Sequence, residues 1–247
     1  VVTYYGRSVR DSNRKGYGKI SLGKGFEKSS NTVIVQAVEE SYKSNPYQFV
    51  KRLNDMGLNK PIGIPIVGEG KPIIPQPKDK TWSAISLPWM AYGYGINITP
   101  LQTLTYYNAI ANNGEMVKPL FVKEIRNWNK TIKTKKKEII HPKVCSDETL
   151  AQLKDLLKRA VEKGTGKSLY SPNFSMAGKT GTAQVDYHKG SDEMYYASSF
   201  AGFFPADNPK YSCVVVIHKP NVATGYYGGD VAGPVLKRIA QKIFTDV

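Results

Sequence analysis

The sequence predicts one mixed α/β domain over residues 1–247, and three observations predict it. Apolar residues recur at helical spacing in four segments of the first two thirds. The last third shifts to strand-like runs, two of them joined by the short turn Pro205-Ala206-Asp207-Asn208-Pro209-Lys210, which favours antiparallel neighbours, and one more helix closes the chain. No internal repeat or low-complexity linker divides it.

Residues 1–28, rich in Gly, Arg, Lys and Ser, read as extended or irregular chain. From Thr32, the residues Val33, Ile34, Ala37, Val38 and Tyr42 repeat at helical spacing, with Ser29 or Ser30 as N-cap and Glu39-Glu40 facing outward. Asn45-Pro46 breaks that helix and starts a second through Phe49, Val50, Leu53 and Met56, which Gly57 ends. Six prolines between 58 and 90 exclude long regular elements and predict an ordered connection of the kind that builds site walls. Thr99-Pro100 opens a helix that buries Leu101, Leu104 and Ile110 and stops at Gly114.

Val122–Ile125 and Glu138–Ile140 are expected to pair as a hairpin around a basic tip. Ser146 caps the next helix, Asp147 and Glu148 favour its positive end, and Leu150, Leu153, Leu157, Ala160 and Val161 form its buried stripe before Gly164. Strands follow at Ser175–Val185, Ser199–Phe204 and Tyr211–His218, with the polar residues 186–198 linking the first two. A final helix is expected from Pro234 through Leu236, Ile239, Ala240 and Ile243.

The 35 Lys and Arg against 20 Asp and Glu give a formal charge of +15, which favours polyanions: nucleic acid, anionic lipid headgroups or phosphorylated cell-wall precursors. The densest cluster, Lys130 to Lys137, holds one aliphatic residue and no aromatic, so it lacks the stacking platforms of a single-strand binder and reads as a solvated hairpin tip. No nucleic-acid partner is expected. Cys145 and Cys213 form neither a disulfide framework nor a metal-ligand spacing, and His141, His188 and His218 are scattered, so no metal and no cofactor is expected. No segment has the apolar run of a membrane-spanning helix, and the first seven residues lack a signal-peptide pattern. The chain reads as soluble as presented, or as cut from something longer.

Two motifs carry chemistry. Gly178-Lys179-Thr180-Gly181-Thr182-Ala183 puts a cation and two hydroxyls on one strand: Lys179 supplies fixed charge, Thr180 and Thr182 supply hydroxyls for a carboxylate, the Thr182 N–H suits an oxyanion, and Gly181 lets substrate lie against the strand. About 150 residues earlier stands Ser29-Ser30-Asn31, where Ser29 can relay a proton or meet a lysine amine and the Asn31 amide can hold that lysine or a substrate carbonyl. A helix cap and a polar strand account for the same residues without chemistry. A second Ser-x-Asn, Ser171-Pro172-Asn173, lies too close to the Lys-Thr-Gly strand to form an opposing wall.

Serine acyl transfer also needs a nucleophile beside a lysine one helical turn away, at the start of a buried helix. Ser12-Asn13-Arg14-Lys15 lies in a polar stretch, and Ser21-Leu22-Gly23-Lys24 is followed by no apolar helix, so neither fits. Gly164-Thr165-Gly166-Lys167-Ser168 ends like a phosphate loop, but the motif's first glycine would fall at Val161 and the segment follows a helix; helix termination accounts for it.

With these motifs in this order, the chain resembles the C-terminal part of the transpeptidase domain of class B penicillin-binding proteins, similar to the division-type enzymes that cross-link septal peptidoglycan. The likeness extends to Gly93-Tyr94-Gly95, Thr99-Pro100-Leu101-Gln102, Ala111-Asn112-Asn113-Gly114, Gly164-Thr165-Gly166, Phe200-Ala201-Gly202-Phe203-Phe204-Pro205 and Gly228-Gly229-Asp230-Val231-Ala232-Gly233-Pro234-Val235. The resemblance implies an antiparallel sheet flanked by helices, with the Lys-Thr-Gly strand and the Ser-Ser-Asn loop as opposite walls of a cleft. It implies Ser29, Asn31 and Lys179 as catalytic residues, and Thr180, Gly181 and Thr182 as substrate-binding ones. Its ligands would be peptidoglycan stem peptides ending in D-Ala-D-Ala and β-lactams, its further partners other cell-wall synthesis or divisome proteins, and its place the extracytoplasmic face of the inner membrane. The family's nucleophilic Ser-x-x-Lys would fall upstream of Val1, so the isolated chain is expected not to be acylated. A β-lactamase or β-lactam sensor shares the motifs but lacks support from any deacylating glutamate motif, and a polyanion-binding module is the reading from another class.

Overall fold

Strands β1 (Val2–Tyr4) and β2 (Arg7–Val9) pair antiparallel around Tyr5-Gly6, whose φ values of 49° and 76° are those a tight hairpin turn demands. The structure is a computed structural model that describes residues 1–186 and 194–245. The N-terminal segment is less irregular than expected, because helix α1 (Leu22–Glu27) follows, with the Ser21 hydroxyl accepting the Lys24 N–H as its N-cap. Six residues with two glycines carry no readable period; tertiary contact holds them, since Gly25 packs so closely on Val33 that a Cβ would overlap it.

Helix α2 (Asn31–Tyr42) is capped by Ser30, not Ser29. The Ser30 hydroxyl accepts the Val33 N–H and donates to Asp11, which also receives the Thr32 N–H and hydroxyl. Glu39 does not face outward as expected: Thr32, Val35 and Glu39 form the inward face, leaving Glu39 5% exposed, and burial raises its carboxyl pKa. Helix α3 (Pro46–Asp55) ends at Gly57, and the proline-rich connection contains the short helix α4 (Ser86–Ala91). Helix α5 (Pro100–Ala111) opens with a capping box in which Thr99 and Gln102 satisfy each other's backbone N–H groups.

The predicted hairpin pairing is wrong in its partners. Strand β3 (Met116–Val117) pairs with β6 (Ile139–His141), while β4 (Glu124–Asn127) pairs with β5 (Lys130–Thr134), so the lysine cluster is one strand and its continuation, not a tip. Strands this short carry too little pattern to specify partners. Helix α6 (Asp147–Glu162) has the predicted Ser146 cap and buried stripe, and a 3₁₀ turn, Lys167–Leu169, follows.

Strands β7 (Ala177–Val185), β8 (Tyr195–Phe204) and β9 (Tyr211–His218) form an antiparallel sheet in that order, with Lys179 opposite Ala201 and Phe200 opposite Val215. Of the polar link at 186–198, residues 187–193 lie outside the described residues, and Tyr195–Ser198 belong to β8. Helix α7 (Gly228–Thr245) begins six residues before the expected Pro234. Strand alternation sends Phe200 and Phe204 to one face, against Ala232, Leu236 and Ala240 of α7, and Phe203 and Ala177 to the other, against Ile110 of α5 and Leu157 of α6. The expected antiparallel sheet flanked by helices is present, and β7 is its edge strand among the described residues.

Candidate functional site

The same alternation divides the Lys-Thr-Gly residues between two faces. Lys179 points to the α1–α2 side, where its Nζ donates to Ser29 Oγ at 2.7 Å and lies 5.9 Å from the centroid of the Phe26 ring. Ser29 bridges α1 and α2 at φ 55°, a left-handed turn that leaves its hydroxyl exposed, while its neighbour Ser30 is buried as the helix cap. Burial pushes the Lys179 pKa down to about 8. Since Ser29 accepts the lysine N–H through a lone pair, its own proton is available to a further acceptor.

Thr180 and Thr182 lie on the opposite face, so the cation and the two hydroxyls do not form one grip. Thr180 Oγ1 lies 2.8 Å from Thr165 Oγ1, and Thr182 Oγ1 accepts the Gly228 N–H at 3.0 Å. A carboxylate reaching either hydroxyl would share it with these partners. At Gly181 the structure adds a packing requirement: a Cβ would stand 2.5 Å from Ser199 Oγ. Asn31 does not join Lys179; its amide donates to the Arg10 carbonyl at 2.9 Å and fastens the end of β2 to α2.

Sequence reasoning missed the residues behind this pair. Glu27, 1% exposed, forms ion pairs with Lys24 at 2.9 Å and with Arg159. Burial alone would raise its pKa, but the two cations outweigh that and hold it below the ordinary value. The Glu27 carbonyl accepts the Thr165 N–H at 3.1 Å, and Gly164 packs against the same oxygen. Gly164-Thr165-Gly166 thus ties α1, α6 and β7 together, which is its function in place of a phosphate loop. The Gly-Thr-Gly spelling was legible; its partners, more than a hundred residues away in the case of Glu27, were not. Near the far end of β7, the Gln184 N–H reaches Tyr94 Oη at 3.5 Å, so Gly93-Tyr94-Gly95 reaches the same strand.

Of the two Ser-x-x-Lys strings, Ser21-Leu22-Gly23-Lys24 opens a short helix, which the sequence does not lead one to expect. The Ser21 hydroxyl caps α1, and Lys24 Nζ is committed to Glu27. Ser12 sits in a bend whose Asn13 side chain accepts the Lys15 N–H. Ser171 holds a local turn by accepting the Asn173 N–H. Two cavities of about 280 and 260 Å³ lie elsewhere, one beside Tyr170–Met176 and one between the end of α3 and His141; neither is lined by Ser29 or Lys179.

Residues 2–241 match the family described as penicillin binding protein transpeptidase domain. The chain is 30% identical over 239 residues to stage V sporulation protein D of Bacillus subtilis, covering 95% of this chain and 35% of that protein. It is 30% identical over 247 residues to the penicillin-binding protein PbpB of Mycobacterium tuberculosis, covering 95% and 35%. Among solved structures, apo penicillin-binding protein 3 of Mycobacterium tuberculosis superposes with a TM-score of 0.82 at 28% identity, over 98% of this chain and 55% of that one. The same protein complexed with aztreonam gives a TM-score of 0.81 at 27% identity over the same shares. The chain spans about a third of the length of the curated relatives it matches.

Proposed function

We propose a function from one premise: the chain belongs to the family of penicillin-binding protein transpeptidase domains. It forms part of the catalytic cleft of a peptidoglycan D,D-transpeptidase, which cross-links stem peptides by serine acyl transfer and binds β-lactams as mimics of D-Ala-D-Ala. The observation that carries this reading is the hydrogen bond between Lys179 and Ser29, which joins two motifs 150 residues apart in the chain.

In the reaction a serine oxygen attacks the carbonyl carbon of the penultimate D-alanine, its proton passes to a base, and the terminal D-alanine leaves with a proton on its nitrogen. An amine of a second stem peptide then takes the acyl group and frees the serine. Ser29 supports the departing nitrogen, because its hydroxyl proton is free while Lys179 occupies its lone pair. Lys179 provides positive charge on the Ser29 face of β7, and on the other face Thr180 and Thr182 offer hydroxyls to the substrate carboxylate in exchange for their present partners. Gly181 keeps the strand narrow, and β7, the sheet's edge strand among the described residues, offers backbone groups to an extended peptide on the stretch before Gln184, whose N–H meets Tyr94. Asn31, with one amide proton on Arg10, has its second for a substrate carbonyl.

The attacking serine and its lysine come, in this proposal, from chain upstream of Val1 in a full-length parent, since Lys24 is held by Glu27 and Ser21 by its capping bond. The parent acts on the extracytoplasmic face of the inner membrane in septal wall synthesis, together with other divisome proteins. Among the described residues no helix is long and apolar enough to cross a membrane. Fluorescent penicillin tests the proposal: the parent should form a covalent adduct and the 247-residue chain should not. A parent that resists labelling would sink the transpeptidase reading, and an adduct on the chain itself would move the nucleophile to Ser12 or Ser21.

A further inference from the structure

The lysine cluster does not stand alone, because the β4–β5 turn places an aromatic at its head. Trp128 sits in that turn at φ 50° with 94% of its surface exposed, and no ring or cation packs on it among the described residues. The two-residue β4–β5 turn accounts for the left-handed φ, as it does for Tyr5 between β1 and β2, but a bare indole forgoes its apolar burial. Nothing among the described residues covers that ring. Ile132 of β5, four residues further along the chain, is 63% exposed.

Around this apolar apex the charge is one-sided. Residues 123–137 hold seven of the 35 Lys and Arg and one of the 20 acidic residues. Arg126 is paired with Glu124 and Lys137 with Glu115. Lys130, Lys133, Lys135 and Lys136 have no acidic partner within ion-pair distance among the described residues.

Three partners would accept such charge, and the composition separates them. A nucleic-acid surface would use several stacking aromatics, where the hairpin has one. A protein interface is depleted in lysine at its centre, where this hairpin is richest. An indole and an aliphatic side chain ahead of a ring of long, flexible lysines is the composition of a membrane-interface contact: the indole prefers the headgroup boundary, and each lysine gains energy near anionic phosphates while its stem covers apolar surface. We propose that the β4–β5 hairpin docks on a bilayer surface bearing anionic lipid headgroups, with Trp128 and Ile132 at the headgroup boundary and Lys130, Lys133, Lys135 and Lys136 over the phosphates. This docking is independent of the acyl-transfer reading.

Vesicle flotation of the 247-residue chain tests it. Binding to phosphatidylcholine vesicles with about one third phosphatidylglycerol should exceed binding to pure phosphatidylcholine by at least about tenfold and weaken with salt. The triple variant K133E/K135E/K136E should lose about tenfold or more, and W128A several-fold, with unfolding midpoints unchanged because these side chains are exposed. In the unaltered protein, lipids brominated in the upper acyl chain should quench tryptophan fluorescence, and W128F should remove that quenching although Trp82 and Trp89 remain. Absence of vesicle binding overturns the proposal. So does equal binding by W128A and the triple variant, or capture by soluble polyphosphate with no bromolipid quenching, which would assign a plain polyanion site.

Discussion

Lys179 Nζ donates to Ser29 Oγ at 2.7 Å across 150 residues of chain. Two backbone devices create the contact. The period-2 geometry of β7 turns Lys179 toward α1 while sending Thr180 to Thr165 and Thr182 to the start of α7, and the left-handed φ of Ser29 swings its hydroxyl out of the α1–α2 junction. The lysine's near neighbours there are a hydroxyl, the Thr180 carbonyl and a phenyl ring, with no carboxylate among its hydrogen-bond partners in the described residues.

That environment makes stability depend on alkaline pH. With the Lys179 pKa at about 8 against an ordinary 10.5, the folded chain binds fewer protons here than the unfolded chain between those values. Stability therefore rises with pH across that window, and the cost of the buried charge is fully present below it. Lys179→Met has no proton to release, so thermal melts should show its advantage over the unaltered protein shrinking between pH 7 and pH 10. Parallel melting curves for the two proteins would mean that Lys179 keeps its ordinary pKa.

Ser29 separates backbone strain from chemistry. Ser29→Ala and Ser29→Gly both delete the hydroxyl, but only glycine accepts φ 55° without strain, so urea unfolding should place the glycine variant about 1 kcal/mol above the alanine one. In the full-length parent both should slow penicillin acylation alike, by about a hundredfold, if the hydroxyl transfers a proton. Unequal acylation that tracks stability would instead make Ser29 a structural residue.

Gly228 couples the start of α7 to the sheet. A Cβ there would overlap the Ser199 carbonyl and stand 2.5 Å from the Gly181 carbonyl, two backbone atoms that cannot swing aside. Gly228→Ala should cost about 2 kcal/mol or more in urea unfolding, whereas Gly233→Ala overlaps only the Leu169 side chain, with the Gly228 carbonyl at an ordinary 3.6 Å, and should cost less. Because the Gly228 N–H also holds Thr182 Oγ1, the first change should reach the candidate site as well.

This packing explains why parts of the fold were legible and parts were not. Helix α6 was readable because its cap, its acidic first turn and its apolar stripe are all local signals that agree. The start of α7 was not, since Gly228-Gly229 looks like a loop until the strands that require glycine are in place. Glu39 followed the usual polarity rule in sequence and broke it in structure, because the face shared with Thr32 and Val35 is set by tertiary packing. The two motifs named Lys179 and Ser29 together, yet nothing local could reveal that Thr180 and Thr182 take their partners from Thr165 and Gly228.

Glu27 gives the acid-side counterpart of the lysine prediction. Its carboxylate is buried, while Lys24 and Arg159 keep 42% and 38% of their side chains in water, so the ion pairs are strong for the glutamate and partly screened for the cations. The pairs outweigh burial and hold the Glu27 pKa below its ordinary 4.5. A depressed carboxylate pKa adds stability that is complete above the ordinary value and disappears as pH falls through the folded one. Glu27→Gln keeps the shape without the charge, so it should be less stable than the unaltered protein near neutrality, by about 2 kcal/mol, with the gap closing toward pH 3. Glu27→Ala should be worse than Glu27→Gln at every pH, because it also opens a cavity between α1 and α6. Urea midpoints measured from pH 7 to pH 3 decide it: a gap that stays constant would show that the carboxylate contributes packing and no charge.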